Sequence, residues 1–255
     1  MEIKKINILG VGISEIDMKS ALSQMENLIL EKKRGYICVC PNHTIMESQK
    51  DPKLRDIVNS ADMVTPDGMS IVLATKLLGH RKVNQVTGTD LMLAFSELSS
   101  KKGYTHFYYG GANGVPERLA EKMLKRFQNL KIVGTYSPPF RELTEEEDKA
   151  IIEMINNAKP DVVWVGLGMP KQELWIGKHF GLINAPIMIG VGAAFDFISG
   201  RKKRAPKWMQ RMGLEWLYRL IQEPKRLWRR NLYHPIFFFK LFLQISGLKK
   251  FSIRN

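Results

Sequence analysis

The sequence has little cysteine and no hydrophobic segment long enough to cross a bilayer. Its two cysteines, Cys38 and Cys40, are two residues apart in a predicted strand. This spacing fits neither a zinc knuckle nor a disulfide framework, so we expect small buried side chains in a reducing compartment. The most apolar run, residues 235–243, contains Lys240 and is shorter than the roughly 20 residues that span a membrane. The N-terminus lacks the apolar core of a secretory signal, so we expect a cytoplasmic protein.

Motifs of several enzyme classes are also missing. The sequence has no Gly-x-Ser-x-Gly elbow, no Walker A sequence, and no Asp-x-Asp pair of the kind that holds a nucleotide-bound metal. Its five histidines do not have the spacing of metal ligands. These absences disfavour hydrolases and P-loop proteins, and they predict a protein without a tightly held metal.

The positive charge is concentrated at the C-terminal end. Of 39 Lys and Arg residues, 15 lie in residues 201–255, which contain only two acidic residues, whereas residues 1–200 are nearly neutral. We therefore predict a body of residues 1–200 and a basic appendage of residues 201–255. A neutral body argues against a nucleic-acid-binding protein, and a basic appendage favours contact with phosphates of a lipid or a substrate.

Short apolar segments rich in β-branched residues alternate with helical patterns as far as about residue 198. The predicted strands are 6–9, 36–40, 63–65, 105–109, 131–135, 162–166 and 187–191, and the predicted helices include 17–33, 69–78, 89–101, 115–127 and 144–157. Such alternation predicts an α/β fold with a doubly wound, mainly parallel, Rossmann-like sheet.

Glycine-bearing turns follow three of the predicted strands. In parallel sheets, ligands bind beyond the carboxyl ends of the strands. The turn that contains Gly110 and Gly111 leads into a helix, where backbone amides can approach a nucleotide diphosphate. Each turn alone fits a tight connection without ligand equally well, but together with the turns at Gly168 and Gly192 it favours a nucleotide crevice.

Polar residues at the same predicted strand ends have two interpretations. Asp67 is either a helix N-cap or a general base that takes a proton from an attacking hydroxyl. Asn42 is either a cap or a polar anchor for substrate. Gln172 and Glu173 either orient a sugar or uracil, or line the start of a helix after Pro170.

The basic appendage has the pattern of helices that lie on a membrane surface. Residues 207–222 form one predicted amphipathic helix, and a second predicted helix after Pro224 begins with arginines and becomes aromatic towards Leu243. Arginine can meet lipid phosphates while aromatic rings enter the acyl region. The alternative is a helix pair that packs on the sheet with its charges in solvent.

Several short motifs, in order along nearly the whole chain, resemble the WecG/TagA/CpsF family of bacterial glycosyltransferases. They are 66–68 (PDG), 88–90 (GTD), 110–111 (GG), 166–173 (GLGMPKQE), 190–192 (GVG), 195–196 (FD), 204–206 (RAP), 213–219 (GLEWLYR) and 222–224 (QEP). The resemblance implies inverting, metal-independent transfer of a hexose-type sugar from a UDP-sugar to an undecaprenyl-diphosphate-linked saccharide during cell-surface polysaccharide synthesis. N-acetylmannosamine, its uronic acid and glucose all remain open as the sugar.

The resemblance also implies roles for individual residues. Asp67 would be the catalytic base, with Asn42 and Gln172 as polar residues of the pocket. Arginines of the appendage would bind the lipid diphosphate: they are Arg219, Arg226 and Arg229. The donor would contact Gly110, Gly111, Gly168, Lys171, Glu173, Gly192 and Asp196. The resemblance further implies a peripheral protein on the inner face of the bacterial plasma membrane and a homo-oligomer.

Two other functions stay open on the sequence. A dinucleotide-dependent oxidoreductase or epimerase would use the same sheet, although the segment 10–15 (GVGISE) has no third glycine of the usual fingerprint. A non-catalytic module would use the basic appendage alone to bind a membrane or another polyanion.

Overall fold

The computed structural model describes residues 3–253, except for the side chains of Arg226 and Arg230. The chain forms two compact units. The first unit comprises residues 3–18, Val39–Thr87 and 203–253, and the second comprises Lys19–Cys38 and Gly88–Lys202. This division differs from a boundary at residue 200, because the C-terminal residues belong to the same unit as the N-terminal ones. The functional separation of a catalytic body from an appendage stays a prediction.

The second unit contains parallel strands with helices between them. Its strands are β3 (Gly35–Cys40, which continues into the first unit at Val39), β5 (Thr105–Gly110), β6 (Lys131–Tyr136), β7 (Val162–Gly166) and β8 (Ile187–Gly190). Its helices are α1 (Met18–Leu30, from Lys19 onward), α5 (Gly88–Lys102), α6 (Val115–Arg126), α7 (Glu145–Ala158), α8 (Lys171–His179) and α9 (Ala194–Ile198). Every strand pair registered within this unit is parallel, for example β5 with β7 through Gly110 and Gly166.

The predicted fold class is confirmed. The six-stranded sheet has the order β4-β3-β8-β7-β5-β6, in which β4 is Met63–Pro66. Consecutive strands such as β7 and β8 are joined through helices, which is the connection that parallel neighbours require. Because helices cover the sheet, its strands read as nearly continuous apolar runs, and Val162–Gly166 is buried except at its last residue.

An aromatic cluster fills the core of the second unit around a buried histidine. Trp164 donates its indole N–H to Nδ1 of His106 at 3.0 Å, and both side chains are fully buried. Burial lowers the pKa of His106 from 6.5 to about 3. The imidazole is therefore neutral at physiological pH and serves packing rather than proton transfer.

The first unit starts with a small antiparallel sheet. β1 (Lys5–Ile8) pairs with β2 (Val11–Ser14), with Ile6 opposite Ile13. The predicted strand at 6–9 exists, but it belongs to this separate hairpin and not to the parallel sheet. β2 is not among the strands predicted from the sequence. The unit continues with α2 (Asn42–Ser48), α3 (Pro52–Ser60), β4 and α4 (Met69–Leu77).

The C-terminal helices are shorter than predicted. The single helix expected over residues 207–222 is wrong: the structure has α10 (Lys207–Arg211) and α11 (Glu215–Gln222). The break lies at Gly213, whose φ is +73°, and an added Cβ there would be 2.8 Å from Cβ of Met69. A helix passing through Gly213 would lose this turn and this close approach.

The segment after Pro224 also forms two helices. These are α12 (Pro224–Asn231) and α13 (Tyr233–Ile245). Within the described residues, no helix combines the length and the apolar character needed to cross a bilayer.

Candidate active site

Asp67 lies directly after β4 in the first unit. Its backbone N–H donates to the carbonyl of Cys40, the last residue of β3, at 3.2 Å. The N-cap of α4 is Gly68, so Asp67 precedes that position by one residue. The assignment of Asp67 as the N-cap residue is therefore wrong. The half-buried carboxylate stands at a strand end, where a general base is expected.

Asn42 is the first residue of α2 and does not cap that helix either. The N-cap is Pro41, again without a side-chain hydrogen bond. The Asn42 amide nitrogen instead lies 2.9 Å from Nδ1 of His234 in α13. Asn42 is only 6% exposed, so this contact lies largely out of solvent. The capping alternative is wrong here as well.

Tyr233 also attaches the start of α13 to α2. The ring of Tyr233 stacks on His43, with centroids 5.3 Å apart. The Tyr233 hydroxyl donates to the carboxylate of Glu47 and accepts from the ammonium of Lys50. These bonds, first to Tyr233 and then to Glu47, raise the pKa of Lys50. The first turn of α13 is thus joined to α2 by stacking and by charge-assisted hydrogen bonds.

The end of α13 is attached to the β1–β2 hairpin. The side chain of Gln244 accepts the backbone N–H of Leu9 at 2.8 Å and donates to the carbonyl of Asn7 at 2.9 Å. Phe237 and Leu241, between these polar ends, are buried. Helix α13 is consequently a packed element of the first unit.

The predicted arginines lie on two consecutive helices. Arg219 is half-buried in α11. Arg229 is exposed in α12, with its guanidinium carbon 5.3 Å from the ring centroid of Trp228. Arg226 also belongs to α12, but its side chain lies outside the described residues. A phosphate-binding role for these arginines stays a prediction.

In the second unit, Gly110 and Gly111 form the predicted strand-to-helix turn. Gly110 ends β5 with φ of +120°, and an added Cβ would be 2.7 Å from the carbonyl carbon of Gly166. Gly111 donates its N–H to the Gly166 carbonyl at 3.0 Å. The N–H of Gly111 is therefore already hydrogen-bonded within the protein. Phosphate contacts from this turn require other backbone groups near Gly114, the N-cap of α6.

Gln172 connects two glycine-bearing turns of the second unit. Its side-chain oxygen accepts the N–H of Gly168 at 3.2 Å, and its amide nitrogen donates to Glu173 at 2.9 Å. Gln172 and Glu173 are buried, whereas Lys171 is exposed. An added Cβ at Gly190 would be 2.8 Å from the Gln172 nitrogen, so the missing side chain leaves room for the amide. This pair organises the turns around it.

Asp196 lies in α9 and binds basic side chains. Its carboxylate is 3.2 Å from Arg201 and 3.4 Å from Lys202. Gly192 lies just before α9, near the Gln172 side chain. Asp196 thus forms ion pairs with Arg201 and Lys202. Contacts of Asp196 and Gly192 with the donor stay predictions.

The structure joins some of the predicted residues and adds others. In the first unit, Asp67 is bonded to Cys40, two residues before Asn42. In the second unit, Gly111 is bonded to Gly166, and Gly168 to Gln172.

Sequence reasoning missed three residues that hold α13: Tyr233, His234 and Gln244. Their signal is that they are, together with Lys240, the polar positions of a mainly apolar helix. Across the described residues, no cluster of three or more His, Cys, Asp or Glu side chains could hold a metal ion.

Comparison with known proteins agrees with the motifs and the fold. The model of the family described as "Glycosyl transferase WecG/TagA/CpsF family" matches residues 6–250. An "N-acetylglucosaminyldiphosphoundecaprenol N-acetyl-beta-D-mannosaminyltransferase" of Bacillus spizizenii is 34% identical over 236 residues, covering 92% of this chain and 89% of the relative.

Further relatives with the same name extend the match. The protein of Bacillus subtilis is 33% identical over 221 residues, covering 86% of this chain and 84% of the relative. The protein of Staphylococcus aureus strain MW2 is 25% identical over 248 residues, covering 96% and 95%. Because the family model spans nearly the whole chain and two relatives exceed 30% identity over most of it, this chain is a glycosyltransferase and belongs to the WecG/TagA/CpsF family.

Proposed function

We propose that the protein transfers N-acetylmannosamine from a UDP-sugar to an undecaprenyl-diphosphate-linked N-acetylglucosamine. The observation that carries this proposal is the shared name of the Bacillus and Staphylococcus relatives, which match this chain over almost its full length. Their names specify both the sugar that is moved and the lipid-linked acceptor. The uronic acid of N-acetylmannosamine and glucose are the other donors to be tested.

Asp67 acts as general base in this proposal. The acceptor hydroxyl loses its proton to the carboxylate and attacks the anomeric carbon, while the bond to UDP breaks and UDP leaves with the electron pair. A single displacement of this kind inverts the anomeric centre and needs only one carboxylate. The position of Asp67 at a strand end, one residue before the N-cap position that Gly68 holds, supports this role. Asn42 and Gln172 are the polar residues that orient substrate.

Positive charge stabilises the departing diphosphate in this mechanism. We propose that groups of the chain supply positive charge at both diphosphates without an essential metal, because backbone N–H groups and guanidinium groups both bind phosphate oxygens. Arg219, Arg226 and Arg229 bind the lipid diphosphate, and backbone groups of the turn before α6 contact the donor. Adding a chelator such as EDTA to the purified enzyme is expected to leave transfer unchanged.

The C-terminal helices provide the surface for membrane contact. Large apolar side chains in this segment are exposed, including Trp208, Met212, Ile221, Phe239 and Phe242. They lie in a segment with a large excess of Lys and Arg. Exposed rings among cations suit an anionic bilayer surface, so we propose a peripheral protein on the inner face of the plasma membrane.

A vesicle-binding experiment tests the membrane proposal. Phe239 and Phe242 are 63% and 61% exposed on α13. Changing both to serine is expected to weaken binding to anionic vesicles at least about tenfold, because two rings no longer enter the acyl region. The control is Phe140→Ser, which removes a 90% exposed ring from the second unit. Equal binding by all three proteins would contradict the proposal.

The structure weakens the dinucleotide alternative. Gly10 and Gly12 belong to the β1–β2 hairpin, whereas a dinucleotide fingerprint lies between a strand and a helix. A non-catalytic module does not fit a chain that belongs to a glycosyltransferase family. Sugar transfer is therefore the reaction to assay.

The decisive experiment is a donor screen with the full-length protein. UDP-N-acetylmannosamine, UDP-N-acetylmannosaminuronic acid and UDP-glucose are each offered with a short-chain polyprenyl-diphosphate N-acetylglucosamine, and UDP release is measured. We expect release with the first donor only when the acceptor is present. Absence of acceptor-dependent release with every donor would refute the proposed function.

The variant Asp67→Asn tests the assignment of the base. The amide keeps the size of the side chain and leaves the backbone bond to Cys40 intact, so folding and donor binding are expected to remain. Transfer is expected to fall by about 10² to 10⁴, the usual contribution of a general base. The matched control is Asp62→Asn, an exposed aspartate just before β4. Transfer by Asp67→Asn at the wild-type rate would remove the catalytic role.

A further inference from the structure

Helix α13 has two different faces. Phe237 and Leu241 are buried, and on the same stripe His234 and Gln244 make hydrogen bonds to other parts of the first unit. The spacings of three and four residues between them place all four side chains on one side of a helix. The opposite stripe, which is exposed, consists of Ile236, Phe239, Phe242 and Ile245.

His234 is held between two partners at the start of this buried stripe. Its Nδ1 lies 2.9 Å from the amide nitrogen of Asn42, and its ring lies 5.0 Å from the ring of Trp216, centroid to centroid, at an angle of 39°. Trp216 belongs to α11, so α11 and α13 together fix the imidazole. The ring therefore presents one nitrogen to α2 in a defined direction.

The chemistry of the two groups determines the direction of the hydrogen bond. An amide nitrogen carries only donors, so Nδ1 of His234 accepts from Asn42. The Asn42 amide is then fixed with its nitrogen towards α13, which leaves its Oδ1 as the atom that can accept a bond from a substrate hydroxyl. Because Asn42 is 6% exposed, the imidazole and not bulk water is the partner that fixes this amide.

We propose that His234 is a positioning residue that orients the Asn42 amide for substrate. This inference rests on the proposed function, because it gives Asn42 the role of a substrate contact. The C-terminal segment then contributes to the reaction through a neutral hydrogen-bond acceptor in α13, in addition to its arginines and its apolar surface. Asn42 lies two residues after Cys40, the last residue of β3, and the carbonyl of Cys40 accepts the backbone N–H of Asp67. The oriented amide therefore belongs to the same strand end as the proposed base.

Three substitutions at position 234 separate positioning from packing. His234→Ala removes the acceptor. His234→Asn restores one, because its Oδ1 is attached to Cγ as Nδ1 is in histidine, whereas the oxygen of His234→Gln is one bond farther out. Each variant loses the ring contact with Trp216, so all three are expected to have similarly lowered thermal stability.

The control variant is Tyr233→Phe. It keeps a ring to stack on His43 but loses the hydrogen bonds to Glu47 and Lys50. It thus weakens the attachment of the same helical turn without touching the Asn42 contact. We expect its transfer rate to be close to wild type.

Sugar transfer is measured with full-length proteins, UDP-N-acetylmannosamine and a short-chain polyprenyl-diphosphate N-acetylglucosamine. We expect kcat/KM to fall about tenfold in His234→Ala and His234→Gln, and to remain within about threefold of wild type in His234→Asn. Vesicle binding and thermal stability of the three variants are recorded in parallel. Rescue by asparagine alone, at equal stability, supports positioning.

Three outcomes would overturn the inference. The first is wild-type kcat/KM in His234→Ala, and the second is equal activity in His234→Asn and His234→Gln. The third is an activity loss in Tyr233→Phe as large as in His234→Ala, which would mean that the loss of activity results from weaker attachment of α13. If the wild-type protein transfers no sugar while it is folded, the proposed function fails, and this inference fails with it.

Discussion

Replacement of Gln244 by alanine is expected to release the end of α13 from the β1–β2 hairpin. The Gln244 amide makes two hydrogen bonds to the hairpin, one to the N–H of Leu9 at 2.8 Å and one to the carbonyl of Asn7 at 2.9 Å. Leu9 is fully buried and has φ of +51°, a conformation that few residues other than glycine adopt. The side chain of Gln244 thus satisfies backbone groups of an unusual turn.

The expected loss of stability follows from these two bonds. Each neutral hydrogen bond contributes about 1 kcal/mol net, and partly buried backbone groups that lose their partner add to the cost. The alanine variant is therefore expected to lose about 2 kcal/mol of unfolding free energy. Alanine is a good helix former, so the helix itself does not account for the loss.

Urea unfolding, followed by tryptophan fluorescence, measures this difference, and limited proteolysis measures the release of α13. The matched control is Ser246→Ala, since the Ser246 hydroxyl bonds only to carbonyls of its own helix. We expect the Gln244→Ala protein to be cut near residue 245 faster than either wild type or the control. An unfolding free energy within about 0.5 kcal/mol of wild type would refute the reasoning.

Two further predictions concern the second unit. Gly110→Ala is expected to lower the free energy of unfolding by about 3 kcal/mol, because its Cβ would be 2.7 Å from the backbone of Gly166. Gly114 also has a positive φ but faces open space, so Gly114→Ala is expected to lower it by only about 1 kcal/mol. Equal thermal stability of the two variants would contradict this difference. His106→Asn keeps an acceptor for Trp164 but cannot be protonated. Burial lowers the pKa of His106 to about 3, whereas an ordinary histidine titrates at 6.5. Between these two pH values the unfolded wild-type chain therefore binds a proton that the folded chain does not, and the free energy of unfolding falls as the pH drops. In the variant, this slope is expected to decrease by up to about 1.4 kcal/mol per pH unit, and equal slopes in urea unfolding at pH 4 to 6.5 would disprove the assignment.

Much of the parallel sheet could be predicted because its strands carry a local signal. The segment Val162–Gly166 was identified to the residue, since a continuous apolar run of this length fits a strand covered on both faces. The start of α7 was also predictable: Thr144 accepts the N–H of Glu147, and the Glu147 carboxylate bonds back to Thr144. Both signals depend on residues that are neighbours in sequence.

The errors arise where distant residues decide a local structure. Residues 207–222 have a helical pattern throughout, yet Gly213 breaks it because Met69, far away in the sequence, occupies the space beside the glycine. In this segment, packing overrides local propensity. The N-cap of α4 differs from the prediction by one residue, since Gly68 and not Asp67 occupies that position.

The sequence by itself determined the fold class, the family and the strand ends at which polar and glycine residues collect, because hydrophobic periodicity and motif order are properties of the linear chain. Only the tertiary structure decided which side chains bond to one another. The contact between Asn42 and His234 joins residues 192 positions apart, and the contacts of Gln244 reach back to the N-terminal hairpin. No local pattern encodes such pairs, because their bonds form only when packing of α13 brings the groups within hydrogen-bonding distance.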